Sequence, residues 1–275
     1  MKRTGYIAAF LLIVLFLFCG CGSNNETETE TEAETETEAE TEIETETETE
    51  AETEIETETE ETTEAEDEDF FDGAVFVGDS VTMGLRNFVV SERNKGRECL
   101  GNAEFLTAGS MSYTNTVQTI GTVDSIHPRY KGKEMYIEDA LALMEPEKVF
   151  IMLGMNDFFI YSVKTGIGNA QTCINRIKEK NPETEIYIES VTPVDRDRGN
   201  FSNENIDKFN AALKEFCKEN GCTYVDVASV MKNSDGALIG YYCSDPRDRG
   251  VHMTFEGCRA WVTYLNKTFN KEKQK

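Results

Sequence analysis

The sequence predicts an α/β domain over residues 70–275, with a parallel sheet covered by helices on both faces. Two observations predict it. Short apolar runs suited to buried strands recur from Gly73 onward, and stretches of helical periodicity separate one run from the next. The roughly 206 residues involved are enough for one domain with a sizeable core.

Strands are expected at 74–77, 104–107, 148–153, 185–190 and 223–227, each short enough to be buried on both faces. Helices are expected between them at 81–92, 137–144, 169–179 and 205–219, with a last one at 255–269. In the fourth, Ile206, Phe209, Leu213 and Phe216 fall on one face, and Ser202 and Asn203 precede it as cap candidates. In such sheets the loops at the carboxyl ends of the strands converge on one edge, where ligands bind.

The residues ahead of the domain are of a different kind. Lys2 and Arg3 precede an apolar run over 6–18 that is short for a membrane span and reads as an export signal. Leu17-Phe18-Cys19-Gly20-Cys21 resembles the lipobox of bacterial lipoproteins, which implies cleavage after residue 20 and lipidation of Cys21. A lipidated Cys21 would hold the chain on a membrane from outside, with no transmembrane helix. Residues 21–69 then form a tether dominated by alternating Glu and Thr, which offers no apolar face to repay ordering and is expected to be disordered. Its span is on the order of 160 Å if fully extended.

Of the chain's 52 acidic residues, 24 lie within 26–69, so the net charge of −25 belongs to the tether and the domain is close to neutral. The acidity therefore says little about the substrate, and no nucleic-acid partner is expected. The domain's six cysteines, at 99, 173, 217, 222, 243 and 258, show no zinc-site spacing. Cys217 and Cys222 are the easiest local disulfide to propose, and free buried thiols are an equal alternative.

Four motifs fall at or near strand ends in chain order. The first strand runs into Gly78-Asp79-Ser80, which delivers a hydroxyl where a helix begins. The second runs into Thr107-Ala108-Gly109, whose glycine lets a backbone N–H approach a substrate oxygen. The third runs into Gly154-Met155-Asn156-Asp157, and Gly250-Val251-His252-Met253-Thr254 precedes the last helix.

Over roughly residues 73–269 the chain resembles the GDSL, or SGNH, family of serine esterases and acylhydrolases. The resemblance implies a flavodoxin-like three-layer α/β/α sandwich, the SGNH hydrolase fold, and ester hydrolysis with no metal or cofactor. It implies Ser80 as nucleophile, His252 as general base, and an oxyanion hole built from Ser80, Gly109 and Asn156. These residue types suit the chemistry, since a serine hydroxyl needs an imidazole to take its proton and the tetrahedral oxyanion needs preorganised donors.

The family's acid stands three residues before the histidine, where this chain has Arg249. Asp248, one residue further back, is the favoured replacement through a bulged loop; Asp245 or a main-chain carbonyl are the alternatives. His127 lies in a loop before Pro128 and is expected at the surface or a substrate rim, and Asp79 and Asp157 are expected to brace their loops. Tyr113, Tyr130 and Tyr136 fall in a loop-rich stretch and are left unassigned between a sugar-binding rim and packing. The exterior address favours an acetylated glycan as substrate, hence a carbohydrate O-acetyl esterase. A lipase, lysophospholipase or thioesterase is the alternative, and an inactive glycan-binding scaffold is the reading from another class.

Overall fold

The computed structural model describes residues 69–157, 162–199 and 201–270. The expected signal peptide, Cys21 and nearly all of the tether lie outside the described residues. Among those described, no helix is long and apolar enough to cross a membrane.

Five parallel strands form one sheet in the order β2-β1-β5-β6-β7: β1 (Ala74–Gly78), β2 (Glu104–Thr107), β5 (Lys148–Met152), β6 (Glu185–Glu189) and β7 (Thr223–Val225). Helices α1 (Ser80–Arg93), α3 (Ile137–Met144), α4 (Val163–Lys180) and α5 (Asn203–Asn220) lie in the crossovers, α6 (Phe255–Phe269) follows the last strand, and together they cover both faces. This is the expected three-layer α/β/α architecture.

Alternation along the buried strands divides the core in two. Val75, Val77, Val149, Ile151, Ile186 and Ile188 face the side covered by α3, α4 and α5. Phe76, Phe150, Met152 and Tyr187 face the side covered by α1 and α6. The register pairs Phe76 with both Phe105 and Phe150, and Phe150 with Tyr187. Their rings therefore stack in a row across four strands, with centroids 5.3, 4.7 and 4.6 Å apart. Each such contact contributes about 1 kcal/mol beyond area burial, which favours one register over slipped ones.

Several local features depart from expectation for identifiable reasons. Helix α4 begins six residues early because Ser162 caps it, its hydroxyl accepting from Thr165 N–H, while Gly166 and Gly168 hide the periodicity of the first turns. The stretch read as loop contains a short helix, α2 (Tyr113–Val117), and a two-stranded hairpin, β3 (Arg129–Tyr130) with β4 (Lys133–Glu134). All six cysteines of the domain are free thiols, five of them buried. Cys217 and Cys222 are joined only through the backbone, Cys222 N–H donating to Cys217 O as α5 closes.

Glu189, the last residue of β6, is fully buried on the α6 side. It accepts a 2.8 Å hydrogen bond from Trp261 Nε1, which ties the middle of α6 to the sheet. Burial pushes its carboxyl up from 4.5 to about 8, only partly offset by the indole N–H. Because the folded-state value is raised, the stability linked to this proton is fully present below about pH 4.5. It is lost as pH climbs to about 8, where the folded protein also ionises. Glu189→Gln keeps an acceptor for Trp261 and removes the charge. Urea midpoints measured at pH 5 and pH 8.5 should fall further in the wild type than in E189Q; equal pH dependence in both would show that Glu189 is not buried as described.

Candidate active site

The site is assembled where β1 and β5 end side by side. Gly78 pairs with Met152 across the two strands, so the segments 79–80 and 153–157 leave the sheet as neighbours. Gly78 is obligatory here, since a Cβ would lie 2.0 Å from Thr82 Oγ1 and 2.9 Å from Met152 O. Asp79 then caps α1, its Oδ1 accepting a 2.9 Å bond from Val81 N–H. Ser80 becomes the first helical residue, where a backbone N–H has no partner within the helix.

Asp79 is fully buried, and its other oxygen accepts a 2.8 Å bond from Asn156 Nδ2. Burial raises its carboxyl to about 7, against the lowering effects of Val81 N–H, His252 and Asn156. Asp157 braces the adjoining loop, accepting from Tyr113 N–H, Thr114 N–H and Thr114 Oγ1 at 2.7 to 3.0 Å. Burial raises its carboxyl as well. Both aspartates thus tie loops together as expected.

His252 Nε2 stands 3.0 Å from Ser80 Oγ, within hydrogen-bond reach for proton transfer. Its Nδ1 stands 2.7 Å from Asp245 Oδ2, so the carboxylate against the imidazole belongs to Asp245 and not to Asp248. The loop explains the difference. Asp248 N–H and Gly250 N–H both turn back to Asp245 O, at 2.9 and 3.1 Å, and place Asp245 beneath the returning chain. Asp245 Oδ1 then accepts from the N–H groups of Val251 and His252, each at 3.0 Å. Asp248 contributes its backbone to this turn, with no bond to the imidazole. Burial raises the Asp245 carboxyl, but the bonds from His252 and the adjoining N–H groups outweigh it and hold the group below the ordinary range.

A second loop locks this turn. Gly250 has φ of +69°, and a Cβ there would strike Asp195 Oδ1 at 1.7 Å. Asp195 N–H donates to Gly250 O at 2.9 Å, and Arg198 Nη1 pairs with Asp195 Oδ1 at 2.6 Å. Arg196 and Arg198 both donate to Pro246 O. These bracing residues were not singled out from the sequence, where the only sign of them is Gly250 just before Val251-His252.

The expected oxyanion donors divide. Gly109 is exposed, its N–H makes no hydrogen bond among the described residues, and the space where a Cβ would stand is open. Ser110, at φ +61°, turns the chain directly after it. Asn156 has both amide hydrogens committed, one to Asp79 Oδ2 and one to Met111 O at 3.1 Å. It can serve an oxyanion only by giving up the longer of the two. His127 is buried against the edge of Tyr136 with its rings 5.1 Å apart, so it is not at the surface. Burial lowers its pKa. Tyr113 is fully buried beside Phe209, which removes it from any substrate rim.

A profile of the GDSL-like lipase/acylhydrolase family matches residues 76–260. Among solved structures, a GDSL-like lipase from Bacteroides thetaiotaomicron superposes with a TM-score of 0.52 at 17% identity, covering 72% of this chain and 87% of that one. A carbohydrate esterase family 3 protein from Talaromyces cellulolyticus superposes with a TM-score of 0.50 at 15% identity, covering 72% and 96%. At these identities the likeness is one of fold. A search of curated protein sequences finds no match.

Asp245→Ala should lower kcat for ester hydrolysis roughly a thousandfold, while Asp248→Ala leaves it within about threefold. Comparable losses in the two variants, measured with one nitrophenyl ester, would contradict the loop geometry. Asn156→Ala should lower kcat about a hundredfold or more, because it removes both the amide N–H that would meet the oxyanion and the bond that satisfies Asp79 Oδ2.

Proposed function

This chain belongs to the GDSL-like lipase/acylhydrolase family and is an ester hydrolase, and from that premise we propose that it is an extracytoplasmic, lipid-anchored carbohydrate O-acetyl esterase acting through an acyl-enzyme on Ser80. The observation that carries the reading is the unbroken hydrogen-bond series from Ser80 Oγ through both nitrogens of His252 to Asp245.

In the proposed mechanism, His252 Nε2 takes the Ser80 proton as Oγ attacks the ester carbonyl. Asp245 keeps the remaining ring proton on Nδ1 and stabilises the imidazolium. The oxyanion is met by the N–H groups of Ser80 and Gly109, and by Asn156 once it releases Met111 O. His252 then gives its proton to the departing alcohol. Water repeats the sequence on the acyl-enzyme, again with His252 as base, and frees acetate and Ser80.

The choice of an acetylated glycan rests on the export signal, on the lipobox-like Cys21 and on the Glu/Thr-rich tether, which together suit a polymer met outside the membrane. The description of one structure of this fold as a carbohydrate esterase agrees with it. Nitrophenyl esters of increasing chain length test the reading. A kcat/KM that falls steeply beyond acetate, with acetate released from acetylated xylan or wall glycan, is expected. Activity that rises toward long acyl chains would replace it with a lipase or thioesterase, and no turnover of any ester by folded protein would favour a binding scaffold.

A further inference from the structure

A cavity of about 840 Å³ lies along the outer face of α6, between that helix and the segment carrying Tyr241 and Tyr242. We propose that it is a glycan-binding subsite that holds a polysaccharide while one of its esters is presented to Ser80. The proposal deepens the carbohydrate reading above and rests on it for the identity of the polymer, though the cavity can be tested separately.

The lining decides the class of ligand. Tyr241, Tyr242 and Tyr264 contribute aromatic surface, and Tyr241 stands 66% exposed with its ring centroid 4.4 Å from that of Tyr242. Tyrosines present an apolar face and a hydroxyl together, which suits the C–H faces and equatorial hydroxyls of a pyranose. The helix adds Glu256, Thr263 and Lys267, which fall on one side of α6 near i, i+7 and i+11. They supply a carboxylate, a cation and, since Thr263 Oγ1 already donates to Arg259 O at 2.7 Å, a second acceptor along the length of the cavity. Lys267 makes no salt bridge among the described residues. The lining is mostly apolar, but its aliphatic side chains are only Val230 and Ala260, and its other apolar side chains are the three tyrosines. Glu256 and Lys267 offset each other, and Arg259, which also lines the cavity, lies 3.6 Å from Glu92, so the lining carries no strong excess of either charge.

The cavity is tied to the catalytic histidine through the backbone. Thr254 N–H donates to Tyr242 O at 2.7 Å, Thr254 Oγ1 donates to Tyr241 O at 2.9 Å, and Ser244 N–H donates to His252 O at 2.9 Å. The two tyrosines therefore sit on a segment paired with the one that carries His252. From there α6 runs for 15 residues, or about 22 Å, the length of several sugar units.

The test reads binding and hydrolysis apart. The full chain with Ser80→Ala is titrated by isothermal calorimetry with unesterified xylohexaose, cellohexaose and chitohexaose. Tyr241→Ala and Thr263→Trp are then introduced singly in the same background, with unchanged thermal midpoints as the folding check; both positions are exposed. Binding of at least one hexasaccharide, weakened tenfold or more by either change, is expected. No binding of any of the three, or binding that neither change affects, overturns the proposal. Nitrophenyl acetate hydrolysis by the unaltered chain is measured in parallel. Turnover without glycan binding sinks the subsite and leaves the esterase standing, while binding without turnover does the reverse.

Discussion

The carboxylate of Asp79 is the constraint on which the site depends. It is fully buried, yet one of its oxygens fixes the start of α1 and the other holds the Asn156 amide that arrives from the end of β5. Burying a carboxyl is costly unless its oxygens are occupied, and here they are occupied by groups from two different loops. The interaction therefore works in both directions. The loops satisfy the carboxyl, and the carboxyl sets the spacing between the segment bearing Ser80 and the segment bearing Asn156. Burial raises this carboxyl to about 7, against the lowering effects of Val81 N–H, His252 and Asn156.

The same arrangement recurs on the histidine side. Asp245 puts one oxygen on the imidazole and the other on two backbone N–H groups, so it positions the ring and shapes the loop that delivers it. Sequence spacing alone pointed to Asp248 because it counts residues along the chain. The tight return through Gly250 makes position 245 the near neighbour of 252, a consequence of positive φ and of the contact with Asp195. Gly250 was visible in the sequence, but its partner Asp195 lies some fifty residues away, and only the fold brings the two together.

What was legible follows the same physics. Strands buried on both faces must be apolar, so β1, β2, β5, β6 and β7 could be placed to within two residues. Helices α3 and α6 were legible to the residue, since each begins after a chain break in apolar rhythm and carries a clear buried face. Ser80, Gly109, Asn156 and His252 could be named from motifs at or near strand ends together with the family resemblance, and the fold brings Ser80 against His252 and Asn156 against Asp79. Features built from long-range contacts were not legible. Tyr113 and His127 look like loop residues until α2 and the hairpin bury them, and nothing near Asn156 in sequence announces that Met111 O occupies its second amide hydrogen.

The central claim is that Ser80 is made nucleophilic by His252 in the folded protein. Reaction of the full chain with a fluorophosphonate, followed by peptide mass spectrometry, tests it most directly, because the reagent forms a stable adduct only with an activated hydroxyl. The account predicts one adduct per chain, on Ser80, and its loss in His252→Ala. Folded protein that stays unlabelled, labelling at another residue, or labelling of Ser80 that persists without His252 would contradict it.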